Sequence, residues 1–483
     1  AGIYTVGAGQ TLVQRTTITD NGTSPGGLDP YSANVVLAGI GDNVLGGTAA
    51  GAGNTIRRAS ATVTSIAGSG YGVTVPGTGQ NTIQNNSISD HLAPGVWICS
   101  NGVVGLPGTR TKPYPTIVGG SATNAGNTIT GNGAAPANNA AFTNHAGIWV
   151  TGLAGDDSES PNSSPYKDDY NLIQGNTITG SGGAGIFLDG PGKTRVGGVA
   201  TTARNTISNN GSLGGSNGLE RSGIEIQSTG QHYGDRQHPL QTSNPNEVHA
   251  NIIENNNITG NNHGINIIGT DDNLIGGAQA ASLNAIFNNS GDGIRIQGSG
   301  DTVVTGNYIG VSRDGGAGAN SVNGIEITAG ATGDNQIGGQ SVSERNVISG
   351  NGSNGISILG SDGDAQDADP TNDNDGSNRI IGNYIGLTPS GLGTRGNGGN
   401  GIAITQQATG ANQIGGAQPG DRNFIGGNGQ YGISIEGDAS GSSNVVKGNF
   451  IGLDDGDQTG GGSFMPHAAS NGNGGILVNA AAA

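Results

Sequence analysis

A mark of the form Gly-Ile-x-Ile recurs along this chain, and its spacing leaves few folds open. It stands at Gly293, Gly324 and Gly355, each 31 residues from the next, and again at Gly401 and Gly432, also 31 apart. With conservative swaps it also stands at Gly72, Gly95, Gly147, Gly185, Gly223, Gly264 and Gly475. Between Gly324 and Gly355 lie two shorter apolar points, each introduced by Asn: Asn335-Gln336-Ile337 and Asn346-Val347-Ile348. A unit of this length, repeated, is the mark of a solenoid. The apolar runs are too short for helices, and their period-two alternation and β-branched residues indicate strands. Three short strands fall in each unit, so one unit is one turn of a β-helix. Longer gaps, such as that from Gly355 to Gly401, are the same coil with a loop inserted.

The corners support this. Asn-Gly and Gly-Asn pairs punctuate nearly every strand, and both residues tolerate the positive φ of a tight turn. Asn at the same corner of successive coils can hydrogen-bond its neighbour along the stack. Segments such as Asn81–Ile88, Asn171–Ile178 and Asn251–Ile258 repeat Asn-x-Ile-x-x-Asn-x-Ile. This pattern resembles the right-handed parallel β-helix proteins of the pectate-lyase-like superfamily, over Gly72–Val478. The resemblance implies an all-β, single-stranded right-handed parallel β-helix, and the hand rests on it alone. It says little about activity, because that fold hosts lyases, hydrolases, epimerases, phage tailspikes and surface proteins.

Residues 1–53 are the least regular and are expected to form strands that cap the first coil. Residues 54–478 are expected to be the β-helix and 479–483 a tail. From Gly264 on, an Asn-x-Ile-Gly-Gly form (Asn273, Asn335, Asn412) alternates with a Gly-Asn-aromatic-Ile-Gly form (Gly306, Gly382, Gly448), which predicts a repeat of two coils.

Of 483 residues 97 are Gly, and only 32% are hydrophobic. For a globule that is a poor core, but a solenoid buries its few Ile and Val coil against coil. The net charge of −17, with 18 Lys plus Arg, argues against nucleic-acid binding, since no basic patch could neutralise phosphates. It also repels an anionic polymer unless calcium intervenes. The single Cys99 excludes an internal disulfide framework, and a buried inert thiol is the simpler reading. No apolar run reaches membrane-spanning length. A start at Ala1 rather than Met fits a processed, exported protein found outside the cell or at its surface.

In Gly-Ile-x-Ile the x side chain points outward, so successive x residues form a column with a spacing of roughly 4.8 Å. That column runs Thr74, Trp97, Trp149, Phe187, Glu225, Asn266, Arg295, Glu326, Ser357, Ala403, Ser434 and Leu477. Trp97, Trp149 and Phe187 are candidates for a sugar-stacking platform; the alternative is that they pack beneath long loops. Glu225, Arg295 and Glu326 read as an exposed charge ladder of little energetic weight. The loop containing His232, Tyr233, Asp235 and Arg236, together with Glu225, holds the residue types that abstract a proton and neutralise a uronate. No motif of a polygalacturonase or epimerase is present, and a polar surface loop explains the same residues. Asp362, Asp364, Asp367, Asp369, Asp373 and Asp375 place hard oxygens at near-alternate positions, as Ca²⁺ requires, although a solvated acidic loop would look the same.

The leading expectation is an extracellular structural or adhesive β-solenoid that self-associates end to end into a fibre. The alternatives are a carbohydrate-active enzyme of the polysaccharide lyase, epimerase or tailspike type, and a non-catalytic glycan-binding module using the aromatic row.

Overall fold

The computed structural model describes residues 1–7, 9–20, 31, 33–58, 70–77, 79–99, 115–133, 145–151, 170–190, 193–212, 221–227, 251–270, 272–298, 300–328, 334–359, 378–405, 412–437, 444–456 and 466–480. It is all-β, with three parallel sheets that the chain enters in turn. The chain divides into two compact units, Ala1–His232 with Ala250–Asn257, and Tyr233–His249 with Ile258–Ala483. Each is a parallel β-helix.

In the first unit, the first sheet runs Ile3–Thr5, Ala33–Leu37, Tyr71–Val75, Val96–Ile98, Ile148–Val150, Ile186–Asp189 and Ile224–Gln227. The third sheet shows why strands of three residues suffice. Its rungs are Thr-Ile-Thr or close variants, and Ile18, Ile56, Ile88, Ile129, Ile178 and Ile207 stand in register, all buried. One inward Ile per rung touches the Ile of the rungs on either side, while the flanking hydroxyl residues face out. Burying such a side chain contributes about 2–3 kcal/mol.

The cap expected at residues 1–53 is not a separate element. Ile3–Thr5, Leu12–Val13 and Thr17–Thr19 pair in parallel with Ala33–Leu37, Val44–Gly46 and Thr55–Arg57. These residues already form coils of the helix. Most of their rungs hold two or three strand residues, and all lack the Gly-Ile-x-Ile mark, so periodicity alone passes over them. At the other end the last strand, Gly474–Ala480, takes in the first two residues of the expected tail.

In the second unit the first sheet runs Ile265–Ile268, Ile294–Gln297, Ile325–Ile327, Ile356–Leu359, Ile402–Thr405, Tyr431–Gly437 and Gly474–Ala480. Its inward residues Ile325, Ile327, Ile356 and Ile358 are fully buried. The two-coil repeat is present. Coils with the Asn-x-Ile-Gly-Gly form join the second sheet to the third through a short 3-10 turn: Ala280–Ser282, Val342–Glu344 and Pro419–Asp421. The coils between them turn that corner tightly instead. After the third sheet two of them carry a small hairpin, closed by the antiparallel bridges Val311 to Ala317 and Leu387 to Thr394, and the coil after Pro419–Asp421 has a like bridge from Leu453 to Ala468.

Buried Asn ladders line the corners of both units. In the second unit one ladder runs Asn307, Asn346, Asn383, Asn423 and Asn449, each Oδ1 accepting from the backbone N–H and side-chain amide of the residue before it. Gly338 shows how little room these corners leave. Its φ is +89°, and a Cβ there would collide with the Ile381 carbonyl oxygen. Gly338→Ala is expected to cost about 3 kcal/mol or more, seen as a lower urea midpoint. No helix among the described residues is long and apolar enough to cross a membrane.

Candidate functional site

The aromatic row is real and in register: Trp97 pairs with Trp149, and Trp149 with Phe187. The two indoles stack at 4.7 Å between centroids with 12° between planes. The row is not an open platform, however. Trp97 and Trp149 are each 6% exposed and Phe187 is 5% exposed, packed with Ala33, Val36, Tyr71, Ala93, Ala146 and Ala184. Trp97 Nε1 donates to Thr151 Oγ1 at 3.0 Å, whereas Trp149 Nε1 is buried with no hydrogen-bond partner among the described residues. Glu225, next in the column after Phe187, is also fully buried and accepts a 2.7 Å hydrogen bond from Ser222 Oγ. Nearby Cys99 is buried, and desolvation pushes its thiol up to about 12, as an inert thiol requires. His232, Tyr233, Asp235 and Arg236 lie outside the described residues, as do Asp362, Asp364, Asp367, Asp369, Asp373 and Asp375. Among the described residues no group of three or more His, Cys, Asp or Glu is arranged to hold a metal ion.

The second unit gathers a different set of groups. The residue before each Gly of the Gly-Ile-x-Ile mark forms an outer ladder beside the x column. From the C-terminal side, the N–H of Tyr431 donates to Asn400 Oδ1, that of Asn400 to Asn354 Oδ1, and that of Asn354 to Asn323 Oδ1, at 2.9–3.1 Å. The same pattern continues, but the residue type changes. Asn323 N–H donates to Asp292 Oδ1 at 2.9 Å, and Asp292 N–H to His263 Nδ1 at 3.2 Å. Asp292 Oδ2 also lies 3.3 Å from His263 Nδ1. At the same coils the x column holds Arg295 and Glu326, which are register partners, with Arg295 Nε 3.2 Å from Glu326 Oε1.

Four ionisable side chains thus converge where the same two columns elsewhere in this unit hold uncharged residues: Asn266, Ser357, Ala403, Ser434 and Leu477 in one, and Asn323, Asn354, Asn400, Tyr431 and Gly474 in the other. They are not the freely solvated ladder expected. Side-chain exposure is 13% for Glu326 and 4% for Asp292, so solvent screens them less than a surface pair. Desolvation, followed by the nearby Asp292 charge, raises the Glu326 pKa above the usual carboxylate value, while Arg295, His263 and Asn323 oppose the rise. Gly291 is required for this geometry, since a Cβ there would lie 2.9 Å from the His263 ring.

The composition of the x column exposes Arg295 and Glu326 in the sequence. His263 and Asp292 are less visible, because they sit at the mark's preceding residue, where a listing of x residues passes them by. Aligning the coils on the ladder position is the signal that finds them.

No protein-family model and no curated protein matches this chain. Solved structures that resemble it include the periplasmic alginate epimerase AlgG, 11% identical over 92% of this chain and 75% of that one, TM-score 0.36. Another is the mannuronan C-5 epimerase AlgE6 A-module of Azotobacter vinelandii, 13% identical over 92% and 91%, TM-score 0.39. A third is the Dettilon tailspike protein, 13% identical over 84% and 62%, TM-score 0.28. At such identities and scores the likeness carries no residue roles and stops at the fold, which the three sheets establish by themselves: the chain is a parallel β-helix.

Proposed function

We propose that this protein is a carbohydrate-active β-helix that moves the proton beside a uronate carboxylate, as a lyase or C5 epimerase does, at His263, Asp292, Arg295 and Glu326. The observation that carries this reading is the gathering of acid, base and cation at one place in two columns that are otherwise uncharged in this unit. Such a convergence of charge on one face, with a raised carboxyl pKa, is the arrangement acid–base chemistry needs.

The roles follow from the chemistry of each group. Arg295 supplies the positive charge that neutralises the substrate carboxylate, so that the electron pair left at the adjacent carbon delocalises into it. His263 is the base: with its Nδ1–H turned to Asp292 Oδ2 in place of the contact with the Asp292 N–H, Nε2 accepts the proton and Asp292 stabilises the imidazolium that results. Glu326, its proton held to higher pH by burial, is the acid. It returns a proton to the carbon from the other face in epimerisation, or to the departing glycosidic oxygen in elimination.

Incubation of the full chain with uronate polymers in deuterated water is expected to place deuterium at C5, with or without unsaturated product. Glu326→Gln and His263→Asn are each expected to lower that rate by about 10²–10⁴-fold, the usual contribution of one acid or base. Wild-type protein that exchanges no C5 proton on any uronate polymer sinks the reading. An exported location accords with a polymeric substrate. Filaments in negative-stain images, together with an absence of exchange, would return the structural or adhesive role that the sequence first suggests.

A further inference from the structure

Asn323 stands in the outer ladder between Asp292 and Asn354, and its side chain departs from the ladder's pattern. Asn354 and Asn400 turn their amide N–H groups toward the acceptor of the coil before, at 3.3 and 3.2 Å. Asn323 keeps the backbone part of that pattern, donating N–H to Asp292 Oδ1 at 2.9 Å. Its amide turns along its own coil instead and donates to Glu326 Oε2 at 3.0 Å. The orientation is fixed by the network, because Asn323 Oδ1 is already the acceptor for the Asn354 N–H at 3.1 Å.

Arg295 does not do the same work. Its Nε is 3.2 Å from Glu326 Oε1, but that N–H is not aimed at the oxygen and makes no hydrogen bond among the described residues. The pair is an ion pair by distance only. Among the described residues, the Asn323 amide makes the directed hydrogen bond on the Glu326 carboxylate.

We infer that Asn323 is a positioning residue for the proposed reaction, its amide holding the Glu326 carboxyl beside Arg295 as that group gains and gives up its proton. This rests on the reading of Glu326 as the acid. The groups that face Glu326 pull in opposite directions. Burial and Asp292 favour the protonated carboxyl; Arg295, His263 and the Asn323 amide favour the carboxylate. The following coil presents Asn354 and Ser357 at the same columns and adds no charge. The Asn323 amide is thus a neutral group that adds a directed hydrogen bond to the side favouring the carboxylate.

The test is a ¹³C NMR titration of glutamate carboxyls in the full chain, with Glu326 assigned by the signal lost in Glu326→Gln. Asn323→Ala is expected to raise the Glu326 midpoint by about one pH unit, the equivalent of one hydrogen bond to a charged group. Asn323→Asp is expected to raise it further, because a donor becomes a second negative neighbour. Asn323→Asp also keeps the acceptor that Asn354 needs, so it separates loss of the donor from loss of the fold. A merely structural role predicts no such order among Asn, Ala and Asp. A Glu326 titration unchanged in both variants overturns the inference, whatever the activity. The ordered shift without C5 exchange in any of the proteins leaves the clamp standing and removes the catalytic reading.

Discussion

Replacing Asn383 by alanine is expected to cost about 4 kcal/mol, among the largest losses that a single polar residue can cause in this protein. Asn383 is fully buried. Its Nδ2 donates to the carbonyls of Ile337 and Ile381 and to Asn423 Oδ1, and its Oδ1 accepts from Asn346 Nδ2 at 3.0 Å. Alanine fills less space and satisfies none of these groups. A buried donor left without a partner costs about 1–3 kcal/mol, and both ladder neighbours lose a partner at once. Because coils of a solenoid contact only their neighbours, the damage should stay local. Amide hydrogen exchange should speed up in Val347–Ile348, Tyr384–Ile385 and Phe424–Ile425, with distant coils of the same unit little changed. The outer-ladder change Asn354→Ala, at a part-buried site, should cost only about 1 kcal/mol. Equal losses at the two sites would show that the inner ladders do not hold the corners.

Acidification is expected to remove about 3 kcal/mol of stability through His91 alone. His91 is fully buried, and its ring occupies the corner position that Asn132 and Asn210 hold in later coils of the same unit. Asn132 Oδ1 accepts from the His91 backbone N–H and lies 2.9 Å from Nδ1, so Nδ1 carries the proton. Nε2 then accepts from Asn34 Nδ2 at 3.0 Å. Both ring nitrogens are satisfied only in this neutral tautomer. Burial, the dominant cause, lowers the pKa from 6.5 to about 4, against the opposing pull of the Asn132 hydrogen bond and Asp90. A base with a depressed folded pKa keeps its full contribution above the unfolded value, near 6.5. That contribution is lost as pH falls from there to about 4, with little further loss below. His91→Asn restores the residue type of the later coils and should flatten the stability profile over that window. An equally steep acid loss in His91→Asn would place the titrating group elsewhere.

Much of the fold was legible because a β-helix writes its core as a period. Gly-Ile-x-Ile located the inward Ile pairs of the first sheet, including Ile325, Ile327, Ile356 and Ile358, and Asn at the corners announced the ladders. The first coils escaped notice because rungs such as Leu12–Val13 are too short to show alternation. The site was half legible. Arg295 and Glu326 could be named from their column, but exposure cannot be read from a column, and theirs was overestimated. For Trp97, Trp149 and Phe187 the sequence left open whether the row was bare or covered, and the side chains are buried. His91 and His263 share one lesson: each is a histidine in a slot where later coils of its ladder place Asn, Asn132 for the first and Asn323 for the second, which only a coil-by-coil alignment reveals.

The alternation of corner types in the second unit restricts how its gene segment can grow or shrink. The coil whose corner is the 3-10 turn Val342–Glu344 has on each side a coil with a tight corner and a hairpin, closed by Val311 to Ala317 before it and by Leu387 to Thr394 after it. Copying one coil in tandem would set like beside like, hairpin against hairpin, in space that a single hairpin now fills. Copying two restores every junction to one already in use. Insertions and deletions that survive should therefore come in pairs of coils, and a designer who wishes to move His263 and Asp292 farther from Tyr431 should add coils two at a time.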